Sequence, residues 1–241
     1  QKDTQTGSDI KTVTAGKLTM STNAQFPPYE SVADDGKGYE GTGFEGIDIE
    51  IAYALAQKLG LELVVDDMDF DSALSAVQTG KSDIVAAGVT VTPERQNTMC
   101  FTDSYANGVQ VVIVKEGSDI KSIDDLQGKK IGTQRGTTGY SYCTDDYGED
   151  SVVAFDDGAT AVQNLLAGKV DCVVIDKAPA QEYVKANAGL TILDTEYANE
   201  NYAIGLGKDN TALQEALNKA LAELQADGTI QSIIDKYIPS K

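Results

Sequence analysis

Residues Leu74–Gly88 read LSAVQTGKSDIVAAG, and residues Val162–Asp176 read VQNLLAGKVDCVVID. Each stretch carries a helical pattern into Gly-Lys, passes through one residue to an aspartate and enters an apolar run of strand length. The copies are offset by 88 positions, Gly168 against Gly80 and Asp171 against Asp83. One helix-to-strand unit made twice at a fixed offset predicts two half-molecules of the same kind.

The flanking sequence extends the pattern in both directions. Lys17–Asn23 (KLTMSTN), Leu61–Asp67 (LELVVDD) and Asp83–Thr90 (DIVAAGVT) read as strands. Between them lie a helix over Asp48–Leu59, with Ile51, Leu55 and Leu59 on one face and Gly60 as its stop, and a second over Ser72–Gly80. This βαβαβ order predicts a parallel, doubly wound sheet with helices on its faces. A second series follows, with strands at Val109–Lys115, Lys129–Gln134, Ser151–Phe155 and Asp171–Asp176. Helices are expected at Ser122–Gln127, from the Gly-Thr turn through Tyr142, and at Gly158–Gly168. Two amphipathic helices close the chain: Leu213, Leu217, Leu221 and Leu224 form one stripe, and Ile230, Ile233, Ile234 and Tyr237 the next. The expected fold class is therefore α/β, with two doubly wound lobes.

Composition removes several classes of function. The 241 residues include 38 acidic and 19 basic side chains, a net charge of −19, which disfavours partners bound through phosphates, nucleic acid among them. With no histidine in the chain, histidine-based acid–base catalysis, Ser-His-Asp triads and most zinc sites are excluded. No metal site and no cofactor is expected. No apolar run approaches the ~18 residues of a membrane span. Cys100, Cys143 and Cys172 are widely spaced and read as buried thiols, with a single bridge left open. The polar start, residues 1–16, is expected to be a flexible tether, left by a removed signal or anchor or simply an end.

Two motifs are attractive and rejected. Gly41–Gly46 (GTGFEG) matches a dinucleotide fingerprint, but a polar loop precedes it where the fingerprint requires a strand. The acidic run from Asp66 would make a calcium loop only with Gly and Glu where Ser72 and Gln78 stand, so it reads as a solvated loop.

Ligands of open α/β sheets sit beyond the carboxyl ends of the strands. There the first copy delivers Thr92, a helix N-cap, then Pro93 and Arg95 in the first turn. Arg95 suits a bidentate grip on a carboxylate, or equally a surface salt bridge with Glu94 or Asp103. The turn Gly136-Thr137-Thr138-Gly139 exposes helix N-terminal N–H groups to an anion, or is simply well capped. Asp176 ends the second copy, placed either to receive an ammonium group or to cap the following helix. An arginine and N–H groups for an anion, with a carboxylate for a cation, suit a zwitterion.

The segments Phe26–Glu30 (FPPYE), Gly46–Gly60 (GIDIEIAYALAQKLG), Ala86–Gln96 (AAGVTVTPERQ), Gly128–Gly139 (GKKIGTQRGTTG) and Leu224–Ile238 (LQADGTIQSIIDKYI) carry a resemblance. The chain after Lys17 resembles the extracytoplasmic amino-acid-binding proteins that feed ABC importers, of the type II periplasmic-binding-protein fold. That resemblance implies two lobes, residues 17–105 plus 203–241 and residues 106–202, joined by two hinge crossings and closing on an L-amino acid. It implies that Arg95 holds the α-carboxylate with Thr90 and the Thr138 N–H, and that Asp176 and the Gly88 carbonyl take the α-ammonium, Val89 lying in the same segment. Gln134 and Thr137 would line the second lobe, and Phe26 would stack on the ligand side chain. Ile47 replaces an aromatic common in relatives, leaving Phe44 to compensate, and Asn23 stands where many relatives place an aspartate. Both departures favour a neutral or polar ligand, with a basic amino acid as the alternative. The resemblance further implies a monomer, a membrane permease as partner, and a place at the cell surface on a lipid anchor or in the periplasm. A lyase or dehydratase on the same fold, using Asp176, Glu30 or Lys177, and a sensing domain of a larger receptor are the competing readings.

Overall fold

The computed structural model describes residues 10–239. The chain runs through β1 (Lys17–Thr22), β2 (Gln25–Phe26), β3 (Glu30–Val32), β4 (Phe44–Glu45), α1 (Ile47–Leu59), β5 (Glu62–Asp67), α2 (Phe70–Gln78), β6 (Ile84–Val85), α3 (Pro93–Thr98) and β7 (Met99–Phe101). It crosses over and continues through β8 (Ala106–Lys115), β9 (Ile131–Gln134), α4 (Thr138–Tyr147), β10 (Val152–Phe155), α5 (Gly158–Leu166), β11 (Cys172–Asp176), α6 (Lys177–Ala186), β12 (Leu190–Ile192) and β13 (Ala198–Tyr202). It then returns to β14 (Gly205–Gly207), α7 (Thr211–Ala226) and α8 (Thr229–Tyr237).

Two larger sheets result, ordered β5-β1-β6-β14-β7 and β10-β9-β11-β8-β12, with β13 paired to β8. In the first, β5, β1 and β6 are parallel; in the second, β10, β9 and β11 are parallel. The expected strand at Val109–Lys115 differs from the expectation in direction. It is the body of β8, and it lies antiparallel to β11, β12 and β13 rather than opening a second parallel series. The reason is connectivity: β8 leads into the second sheet and β13 leads out of it, so the two run in opposite directions side by side. β14 then enters the first sheet antiparallel to β6 and β7.

The repeated unit has a structural cause. Gly80 and Gly168 take φ of 71° and 72°, a left-handed conformation that side chains with a Cβ resist. Each lets the chain leave its helix through a wrapped C-terminus, with Lys81 N–H bonded to the Ala76 carbonyl and Lys169 N–H to that of Asn164. The aspartate that follows then fastens the start of the neighbouring parallel strand. Asp83 accepts the Thr19 N–H at 2.8 Å and donates its own N–H to the Thr19 carbonyl. Asp171 does the same with Lys130, at 2.7 Å. The motif is a clamp between strands, and what matters for function lies at the other end of each strand.

The closing helices pack on the first lobe, where Leu213, Leu217, Leu221, Ile230 and Ile233 meet Leu18, Met20, Ile51 and Leu55 in one buried cluster. Of the expected tether, residues 1–9 lie outside the described residues. Residues 10–16 are not free of the body: Ile10 packs on that core and the Val13 N–H donates to Asp83 at 2.7 Å. The GTGFEG run straddles β4 of a small antiparallel sheet, β2-β3-β4, away from any parallel strand end. The acidic run caps and ties: Asp69 accepts from the Ser72 N–H at the start of α2, and Asp67 from that of Ala24.

Candidate functional site

Between the two lobes lies a cavity lined by side chains from both. Arg95 enters it from α3. Thr92 caps that helix by accepting the Arg95 N–H, Pro93 holds its first turn, and the side chain is thereby aimed across the cleft. One guanidinium nitrogen, Nη1, donates to the Thr90 carbonyl at 2.8 Å, and the other, Nη2, to the Gly136 carbonyl of the opposite lobe at 3.1 Å. The plane also covers the Phe70 ring, 5.5 Å from its centroid. Burial lowers the Arg95 pKa, an effect opposed first by the charge of Glu200. The salt bridges expected as alternatives, with Glu94 or Asp103, do not form.

From the second lobe Asp176 faces the same cavity. It does both things its position allowed. Its Oδ1 caps α6 by accepting the Ala178 N–H at 3.0 Å, while Oδ2 accepts the Tyr202 hydroxyl at 2.8 Å and the Val109 N–H at 3.0 Å. Burial pushes its pKa up to about 6 against those three hydrogen bonds. A buried carboxylate held in this way gains most from a cation brought beside it.

Gly88 ends the first copy with φ of 56°, its N–H bonded to Asp48 at 2.7 Å. A Cβ there would stand 2.9 Å from the Phe26 ring, so the approach of backbone to aromatic requires glycine. Thr137 caps α4, accepting the Tyr140 N–H and donating to the Gln134 carbonyl, which leaves the helix start at Thr138 open to the cavity. Gln134 reaches across the cleft to Asn23 at 3.0 Å, closing the far end with two neutral amides.

Of the residues expected at the site, Asn23, Phe26, Gly88, Thr90, Arg95, Gln134, Thr137, Thr138 and Asp176 line the cavity. Three do not. Ile47 is fully buried at the start of α1, and Phe44 packs on the same core from β4. Val89 points into a second core cluster with Met99 and Phe101, on the side away from the cavity that its neighbours Gly88 and Thr90 line. The second aromatic of the site is Phe70 instead, at the start of α2 beyond the carboxyl end of β5, where the strand-end rule would have found it. Gln110, Glu200 and Tyr202 were missed as well. They sit on β8 and β13, which carry no motif. Glu30, named only as an acid–base candidate, lines the cavity, whereas Lys177 pairs with Glu196 on the surface at 3.3 Å.

Residues 18–240 match the bacterial extracellular solute-binding proteins, family 3. The chain belongs to this family. It is 36% identical over 230 residues to the ABC transporter arginine-binding protein 1 of Escherichia coli (strain K12), covering 93% of this chain and 92% of that one. Among solved structures it is similar to an ancestral arginine-binding protein bound to glutamine, with a TM-score of 0.87 and 40% identity, covering 94% of this chain and 100% of the other. An ancestral arginine-binding protein bound to arginine superposes with a TM-score of 0.84 and 41% identity, over 92% and 98% of the two chains. As a member of the family, the chain is an extracellular solute-binding protein with the two-lobed type II periplasmic-binding fold.

Proposed function

We propose that this protein is the amino-acid receptor of an ABC importer, acting by binding alone, and that its ligand is an L-α-amino acid with a cationic side chain. The observation that carries the reading is the pairing of Arg95 from one lobe with Asp176 from the other across a single buried cavity. The ligand carboxylate would meet the remaining Arg95 donors, Thr90 and the start of α4. The ammonium would meet Asp176 and the Gly88 carbonyl. Asn23 by itself favours a neutral ligand, but among the described residues lining the cavity the carboxylates Asp176 and Glu200 stand against one cation, Arg95. A neutral zwitterion leaves that negative excess unbalanced, and a side chain bearing positive charge relieves it. Its apolar stem would lie along Phe26 and Phe70. The ancestral arginine-binding protein bound to arginine supports the cationic class, and the one bound to glutamine supports the wider amino-acid reading. Both halves of the site belong to one chain, which supports a monomer handing its ligand to a permease.

A calorimetric titration tests this directly. The protein, stripped by unfolding and refolding, is screened against the proteinogenic L-amino acids. Arginine is expected to bind most tightly, and Arg95→Ala to weaken it by about 2–5 kcal/mol with the unfolding midpoint little changed. Unaltered affinity in that variant would remove Arg95 from the site, and silence across the whole panel would remove the receptor reading.

A further inference from the structure

Glu30 reaches the cavity with no donor on its carboxylate, its hydrogen-bonding neighbour being another acid, Asp48. The residue is fully buried, lines the cavity, and neither carboxylate oxygen receives a hydrogen bond. Such a group is costly unless it is neutral or paired. Its acidic neighbours are Asp48 from α1 and Asp67 from β5, and the phenols near it belong to Tyr29, Tyr105 and Tyr183. No cation stands among them.

The two buried carboxylates, Glu30 and Asp48, are held differently. Asp48 accepts the Gly88 N–H at 2.7 Å and the Tyr105 hydroxyl at 2.6 Å, and both bonds favour its charged form. Glu30 has no such donor. Adjacent acids in a dry site hold one proton between them, and the acid without donors keeps it. Burial, and then the charge of Asp48, move the Glu30 pKa well above the usual carboxylate range.

The geometry points to Glu30 as a selectivity residue that exchanges a proton: a cationic ligand side chain displaces to solvent the proton held by the Glu30–Asp48 pair, whereas a neutral carbonyl at the same place is bound with that proton retained and donated to it. The inference rests on the amino-acid receptor reading above and adds how one site serves both charge classes. Only the O–H bond of Glu30 breaks, and the proton passes to buffer base. At neutral pH and above, where Asp176 is already ionised, affinity for a cationic ligand should therefore rise with pH while Glu30 is protonated in the empty protein, and affinity for a neutral one should stay flat.

The test uses L-arginine and its neutral ureido analogue L-citrulline, titrated into the stripped protein at one neutral pH in buffers of different ionisation heat. Arginine is expected to release close to one proton and citrulline close to none. Glu30→Gln should release none, lose arginine by about 100-fold, and keep citrulline within about tenfold. Its unfolding midpoint checks that the variant is native. Arginine binding with a buffer-independent heat would overturn this inference and leave the receptor intact, as would a protein that binds only amino acids with hydrocarbon side chains. Failure of every amino acid to bind would overturn both.

Discussion

Asp176 shows how one side chain can oppose folding and favour binding. Its pKa is raised to about 6 in the folded protein from a usual carboxylate value near 4, chiefly by burial. A group of that kind binds its proton more readily when folded. Its contribution to stability is present below about pH 4 and is lost as pH rises through about 6, a change of about 3 kcal/mol. Wild type should therefore lose stability relative to Asp176→Asn as pH is raised from about 4 to about 7 without ligand, read from urea unfolding of both proteins. A difference that stays flat, or grows in favour of wild type, would mean that the hydrogen bonds from Tyr202, Val109 and Ala178 outweigh burial. Asp176 was legible in the sequence from its place at a strand end. Its partner Tyr202, on a crossing strand without a motif, was not.

Between elements, the repeated aspartate predicts two different costs for one motif position. Asp83 is buried and accepts two backbone N–H groups, from Val13 and Thr19. Asp171 is exposed and accepts one, from Lys130. Asp83→Ala should cost about 2–4 kcal/mol and Asp171→Ala about 1 kcal/mol or less, since an unpaired N–H is expensive only where water cannot replace the lost partner. Equal losses in denaturant unfolding would show that the clamp acts locally rather than through burial. The long elements of this chain announce themselves by period: α1, α7, β1, β5 and β11 stand where their apolar spacing puts them, whereas the strand expected over Asp83–Thr90 shortens to β6, Ile84–Val85. The strands β7, β12 and β14 are three residues each, and β2 and β4 two. Segments that short hold no period to read, and they are strands because a neighbouring strand supplies their hydrogen bonds.

At the scale of the whole molecule, among the described residues the side-chain bonds between the lobes away from the crossings are few: Gln134 to Asn23, Arg95 to the Gly136 carbonyl, and the Tyr183 hydroxyl to the Gln25 carbonyl. The chain passes between the sheets twice, where the Tyr105 N–H bonds the Tyr202 carbonyl and Thr90 bridges Tyr202. So slender a connection is expected to act as a hinge, with the closed form stabilised by a ligand that touches both lobes. Small-angle scattering should then give a smaller radius of gyration with arginine than without, and superimposable curves would count against closure. The sequence alone determined the two-lobed α/β plan, because apolar period and glycine stops are local properties repeated in both copies. It also pointed to Arg95, Asp176 and the Thr137–Thr138 turn, because strand ends and helix starts mark themselves by cap chemistry. Only the tertiary structure decided that Phe70 rather than Phe44 joins Phe26 at the cavity, that β8 runs antiparallel, and that Glu30 and Glu200 are buried there. Burial and strand direction depend on which distant segments pack together, and no local pattern encodes that.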